Sequence, residues 1–138
     1  MLTFRNMYAI RNLDKLIAVL PEWRDRDVAF ITGMVWTDNT DLTLTLLSQE
    51  RKDGTWPDFG LPFVEAAVTF KAVSLLNIKF SHLAYQQLMD FNIRGLDDDD
   101  WADGKYKVCD LNADTISFYC DEIVVGAVDG DVEFDRFY

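Results

Sequence analysis

The stretch Leu42-Thr43-Leu44-Thr45-Leu46 alternates a large apolar residue with a polar one. Successive side chains of a β-strand point to opposite faces of the sheet, so this alternation predicts a strand whose leucines face a core. An apolar, β-branched segment precedes it over 28–36, and the turn-forming residues Thr37-Asp38-Asn39-Thr40 lie between the two. We therefore predict that these segments form an antiparallel hairpin.

The same alternation recurs downstream and predicts further strands. The segments that carry it are 66–70, 76–80, 88–94, 105–109, 115–125 and, as a last short strand, 132–134. Upstream, four apolar residues follow helical spacing between positions 13 and 20, with Asn12 in position to cap the helix and Pro21 to end it. The predicted fold is mostly β, with α+β as a variant: an antiparallel sheet or sandwich of about seven to eight strands with one short N-terminal helix.

Length and composition predict one globular domain over residues 1–138. Hydrophobic residues make up 49% of the chain, which excludes disordered and low-complexity classes. The apolar runs are far shorter than the roughly 20 residues that cross a bilayer, and no secretion signal is visible, so we expect a cytoplasmic protein that does not bind membranes. The strand alternation and the apolar face of the helix place five large residues in the core, namely Leu16, Phe70, Ile78, Phe91 and Phe118.

Acidic residues outnumber basic ones by 24 to 13, which gives a net charge of −11. This charge repels nucleic acid and argues against a nucleic-acid partner. Residues 97–138 hold 13 acidic and three basic residues and so carry −10, whereas residues 1–96 carry −1. Two interpretations of the acidic third stay open: it keeps the protein in solution, or it faces a basic partner.

Few residues suit catalysis or metal binding. The single histidine, His82, has no carboxylate beside it in the sequence, and two cysteines with one histidine cannot supply four zinc ligands. The Asp-rich turns lack the full ligand set of a calcium loop, and no phosphate-binding glycine motif is present. We predict no catalytic, cofactor or metal site. Alternation places Cys109 and Cys120 on opposite faces of a hairpin, which predicts two reduced thiols.

Aromatic residues beside acidic ones are the best candidates for a binding surface, because such residues often anchor protein interfaces. Trp56 lies in a charged loop rich in Gly and Pro, and Trp101 follows a run of four aspartates. The residues predicted to contact a partner are Asp97, Asp98, Asp99, Asp100, Trp101, Asp103 and Trp56. The alternative is that each tryptophan covers an edge of the core.

Four segments resemble a pattern found in small bacterial immunity proteins. They are Ala67-Val68-Thr69-Phe70-Lys71-Ala72-Val73-Ser74-Leu75-Leu76-Asn77-Ile78, Leu88-Met89-Asp90-Phe91-Asn92-Ile93, and the two halves of a predicted hairpin, Tyr106-Lys107-Val108-Cys109 and Ile116-Ser117-Phe118-Tyr119-Cys120-Asp121-Glu122-Ile123-Val124-Val125. The pattern is similar to that of the immunity-protein-50-like group of polymorphic toxin systems. This resemblance implies a protein that binds and neutralises a cognate toxin, with neither catalysis nor a cofactor.

We therefore expect a non-enzymatic protein-binding domain, a toxin-neutralising immunity protein that presents an acidic, aromatic-containing surface to a toxin of basic charge. Two alternatives stay open. One is a small-ligand-binding protein or enzyme whose site lies in the concavity of the sheet and uses Trp and Asp residues. The other is an adaptor domain of unknown function whose charge serves solubility. The oligomeric state stays open.

Overall fold

A computed structural model describes residues 10–52, 54–80, 85–96, 105–112 and 115–133, which form a mostly β protein with one short α-helix, α1 (Leu13–Ile17). The strands in chain order are β1 (Val28–Thr37), β2 (Asp41–Ser48), β3 (Phe63–Lys71), β4 (Ser74–Ile78), β5 (Gln86–Gln87), β6 (Phe91–Gly95), β7 (Tyr106–Asp110), β8 (Ile116–Cys120) and β9 (Glu122–Val132). The predicted mostly β fold with a short helix near the N-terminus is confirmed.

The strands form two antiparallel sheets. Sheet A has the order β5-β1-β2-β3-β9, and sheet B has the order β4-β8-β7-β6. The predicted hairpin is confirmed: β1 pairs with β2 from Thr37 opposite Asp41 to Val28 opposite Ser48. The three leucines of β2 at positions 42, 44 and 46 are buried, as their alternation with threonine predicted.

One hydrophobic cluster joins the facing sides of the two sheets. Phe70 of sheet A and Phe118 of sheet B are fully buried and meet edge to face, with 5.0 Å between their ring centroids. The core prediction holds for these two residues and for Leu16 and Phe91. Ile78 is only half-buried, because it ends β4 at the edge of sheet B.

The single strand predicted over 115–125 is wrong, because the chain changes sheets within it. Ile116 and Phe118 are buried at even positions, whereas Ile123 and Val125 are buried at odd positions. The shift occurs at Asp121, because β8 of sheet B ends at Cys120 and β9 of sheet A begins at Glu122. β9 then pairs with β3 as far as Val132, so the strand predicted over 132–134 is the end of β9, and position 134 lies outside the described residues.

The helix is shorter than predicted. It spans five residues and ends four residues before Pro21. Asn12 occupies the cap position with a left-handed backbone (φ 60°) and makes no side-chain cap hydrogen bond, so the predicted cap is wrong. Packing of the buried Leu16 into the main cluster holds the helix in place instead.

A second, smaller cluster lies on the opposite side of sheet A. Its buried members are Ala29, Phe30, Leu47, Phe63 and Val132. Trp56 and Tyr85, both half-buried, pack against it. This cluster positions the candidate site described below. In the described ranges, no helix is long and apolar enough to span a bilayer.

Candidate functional site

The side chain of Gln49 fastens the loop that joins β2 to β3. Gln49 is 8% exposed. Its Nε2 donates to the carbonyl of Asp58 at 2.9 Å, and its Oε1 accepts from the N–H of Asp58 at 2.7 Å. Longer bonds of 3.4 Å run from Nε2 to the carbonyls of Leu61 and Pro62. The loop is therefore held to the end of β2 by an amide whose donor and acceptor are both used.

Trp56, a predicted site residue, is the second anchor of this loop. Its indole N–H donates to the carbonyl of Gln49 at 2.8 Å, and its ring packs on the second cluster. The guanidinium carbon of Arg51 lies 3.8 Å from the ring centroid, a cation–π contact. Trp56 thus covers an edge of the core, which was the alternative to a role in binding. Its contact with a partner stays a prediction.

Arg51 links this loop to the segment between β5 and β6 and to the segment before β1. Its Nη2 donates to the carbonyl of Met89 at 2.9 Å, and its Nε donates to the carbonyl of Arg26 at 3.3 Å. Burial, followed by the nearby positive charge of Arg26, lowers the pKa of the Arg51 guanidinium, which still carries its charge at neutral pH. Trp56 is therefore held by two contacts, the cation–π contact with Arg51 and the indole hydrogen bond to the carbonyl of Gln49.

Two apolar side chains of the same loop stay exposed. Phe59 is 55% exposed and Leu61 is 51% exposed. The Phe59 ring lies 6.0 Å from that of Phe30 and 6.4 Å from that of Phe63, and Tyr85 contacts Phe30 edge to face at 5.7 Å. We call the set Arg51, Trp56, Phe59, Leu61 and Tyr85 the aromatic surface.

The sequence signal for the aromatic surface was partial. Two aromatic residues, Trp56 and Phe59, occur in one short loop that is otherwise rich in charge, Gly and Pro. The sequence predicts Trp56 as an interface residue but not Phe59, Leu61 or Tyr85. The positions of Phe59 and Leu61 depend on the buried Gln49, which fastens the loop.

An open groove of about 500 Å³ adjoins the loop on the side of α1. Leu20, Leu61 and Pro62 are among its apolar residues. Of its polar residues, Ser48 accepts the indole N–H of Trp23 at 3.1 Å and Asp58 accepts the N–H of Gly60 at 2.9 Å. The described lining holds neither histidine nor cysteine.

Buried aspartates elsewhere serve the fold. Asp27 accepts from the N–H of Arg24 at 2.9 Å and from the N–H of Arg51 at 3.0 Å. Asp110, at the start of one of the Asp-rich turns, accepts from the N–H of Met89 at 3.1 Å and from the N–H of Asp90 at 3.0 Å. These carboxylates already have donors from their own chain. In the part of the chain that the structure describes, no group of three or more His, Cys, Asp or Glu residues could hold a metal ion.

The two cysteines are free, as predicted. Cys109 lies opposite Ser117 and Cys120 lies opposite Tyr106, so the two thiols are on different faces of sheet B. Burial raises the pKa of both thiols, that of Cys120 to about 12.

The acidic part of the predicted site is not described. Asp97, Asp98, Asp99, Asp100, Trp101 and Asp103 lie outside the described residues, as does His82. The five aspartates and Trp101 belong to the chain between Leu96 and Lys105, and the N–H of Leu96 donates to the carbonyl of Lys105 at 2.8 Å. Comparison with family models, with curated proteins and with solved structures gave no match to this chain.

Proposed function

We propose that this chain is a non-enzymatic protein-binding domain of the toxin-neutralising class and that the aromatic surface is part of its interface. The observation that carries the proposal is the exposure of Phe59 and Leu61 on a loop that Gln49 fastens. Apolar side chains on a fixed loop lose little conformational entropy on binding, which favours affinity. Aromatic and arginine side chains are also the residue types that dominate interface energetics.

The charge of the chain supports a basic partner. A net charge of −11 accelerates encounter with a basic protein by long-range attraction and slows encounter with anionic ones. Ten of these negative charges belong to residues 97–138. The aspartates at 97–100 and 103, with Trp101, form the acidic component of the proposed interface.

The groove beside the loop supports a second candidate, a small-ligand-binding protein. Its volume of about 500 Å³ is in the range of small-molecule sites. The polar groups of the groove support the protein-binding function instead. Gln49 and Asp58 already form hydrogen bonds within the loop and do not converge on a ligand.

The test is binding to the product of the adjacent gene, measured by calorimetry with wild type, Phe59→Ala and Leu111→Ala. Leu111 is a matched control because it is 58% exposed and lies on the turn after β7. We expect Phe59→Ala to weaken binding about tenfold or more and Leu111→Ala to leave it within about twofold.

Equal affinities for the two variants would place the interface away from the aromatic surface. The toxin-neutralising part is tested separately by co-expression. If the adjacent gene product arrests growth and this chain does not restore it, that part of the proposal is wrong.

A further inference from the structure

The outer face of sheet B carries a continuous cross-strand row. Arg94 lies directly opposite Lys107, Lys107 lies opposite Tyr119, and Tyr119 lies opposite Ser74. All four side chains therefore point to the same face, away from the main cluster. The neighbouring row on that face consists of Asn92, Cys109, Ser117 and Asn77.

The charges of this row oppose folding. Like charges directly opposite each other in an antiparallel pair are destabilising, and Arg94 and Lys107 form such a pair. None of the eight positions in the two rows is acidic, although the chain has 24 acidic residues to 13 basic ones.

The cations have no carboxylate partner among the described residues. The ion pairs there are Arg11–Glu122, Arg26–Asp90 and Lys52–Glu50, and none involves Arg94 or Lys107. Asp90, which precedes the row on the β6 side, lies 3.7 Å from Arg26. The Lys107 ammonium instead lies 5.7 Å from the centroid of the Tyr119 ring.

We infer that this row, which we call the basic row, binds an acidic segment of a partner protein. The guanidinium of Arg94 and the ammonium of Lys107 are carboxylate-binding groups, and the Tyr119 hydroxyl can donate a further hydrogen bond. A row across four strands spans about 15 Å, enough for several residues of an extended segment. A short acidic segment is favoured over nucleic acid, because the two cations of the row match a few carboxylates, whereas affinity for nucleic acid depends on contacts with many phosphates.

This inference is independent of the proposed function. The aromatic surface lies on sheet A and its loop, whereas the basic row lies on sheet B and carries the opposite charge to the protein as a whole. A partner that presents both signs of charge could use both surfaces, but each surface can be disabled alone.

The test uses a capped ten-residue peptide of alternating Glu and Ser, titrated into the isotopically labelled full chain and followed by amide chemical shifts. The double variant Arg94→Gln/Lys107→Gln removes the basic row. The control Lys15→Gln/Lys52→Gln removes the same charge from exposed positions elsewhere. We expect shifts centred on β6, β7 and β8, binding roughly fivefold weaker in the first variant and unchanged affinity in the control.

Three results would overturn the inference. One is equal loss of binding in both variants, which would mean that only net charge matters. Another is tighter binding of a single-stranded DNA of equal charge, which would assign the row to nucleic acid. The third is binding of a Gln-Ser peptide as tight as that of the Glu-Ser peptide. Thermal unfolding of the first variant provides the folding control, and its midpoint should not fall, because the substitution removes a repulsive pair.

Discussion

The carboxylate of Asp25 accepts a hydrogen bond from the main-chain N–H of Ile93 at 2.9 Å and so joins the segment before β1 to the edge strand of sheet B. Asp25 is fully buried and also accepts from the N–H of Arg26 at 3.0 Å. Burial raises the pKa of this carboxyl above 3.8, and the two main-chain donors oppose that shift. Asp25 thus satisfies an edge amide of β6 that would otherwise be open to another strand.

The raised pKa of Asp25 makes stability depend on pH. The folded chain keeps the proton at pH values where the unfolded chain has released it, so the contribution of Asp25 to stability falls as the pH rises above 3.8 through the folded pKa. Asp25→Asn does not titrate. We expect the free energy of unfolding of wild type, relative to this variant, to decrease as the pH is raised through that window in denaturant melts. An increase would mean that the hydrogen bonds outweigh burial.

Phe118 should be among the most costly residues to truncate. Its side chain is fully buried and packs edge to face against Phe70, so Phe118→Ala leaves a cavity between the sheets. We expect a loss of about 3 to 5 kcal/mol in the free energy of unfolding, measured with urea. Leu75→Ala is the control, because Leu75 is 65% exposed, and it should cost less than about 1 kcal/mol. A loss below about 1 kcal/mol for Phe118→Ala would contradict the packing of the two sheets.

Local alternation accounts for what the sequence predicted correctly. The spacing of Leu42, Leu44 and Leu46 is a property of one strand, so it identified β2 and its core face without knowledge of the partners. The break at Asp121 was missed because both sides of it look like strand. Only the change of phase between Phe118 and Ile123 marks it, and a turn of one residue has no composition of its own.

The candidate site was less predictable than the fold for a physical reason. Trp56 could be identified from its loop, but the exposure of Phe59 depends on the hydrogen bonds of Gln49, whose burial follows from tertiary packing. The basic row depends in the same way on register, because Arg94 and Lys107 become neighbours only when β6 pairs with β7.

Gln49 should control the loop without contacting a partner. Gln49→Ala removes the acceptor for the N–H of Asp58 and the donor to its carbonyl. We expect a loss of about 1 to 3 kcal/mol in stability and faster hydrogen exchange at Asp58. Gln49→Glu keeps the size but replaces the donor by an acceptor, so it should be no better than Ala. Unchanged exchange at Asp58 in both variants would show that the loop is held by Trp56 alone.

The two thiols should differ in reactivity. Burial raises the pKa of Cys120 to about 12, and the half-buried Cys109 is raised as well. Since the thiolate is the reactive form, a thiol reagent at neutral pH should modify Cys109 slowly in the native protein and Cys120 only on unfolding. Cys109→Ser should abolish the native-state reaction. Simultaneous modification of both native thiols would contradict the burial of Cys120.

The acidic run should act on the rate of association with a basic partner. Asp98, Asp99 and Asp100 contribute to the −10 charge of residues 97–138, and attraction between opposite charges affects encounter more than dissociation. Replacing all three by Asn should therefore slow association while leaving the melting temperature unchanged. The difference from wild type should shrink at high salt, because the Debye length falls to about 3 Å at 1 M.

Trp101→Ala is the complementary variant, because a desolvated aromatic side chain governs dissociation more than encounter. Association kinetics with the adjacent gene product at two salt concentrations separate the two effects. If the triple variant associates at the wild-type rate at both salt concentrations, the acidic run serves solubility. The interface would then consist of the aromatic surface without an acidic component. If the triple variant is slow but Trp101→Ala dissociates normally, the run steers the partner without forming part of the final contact.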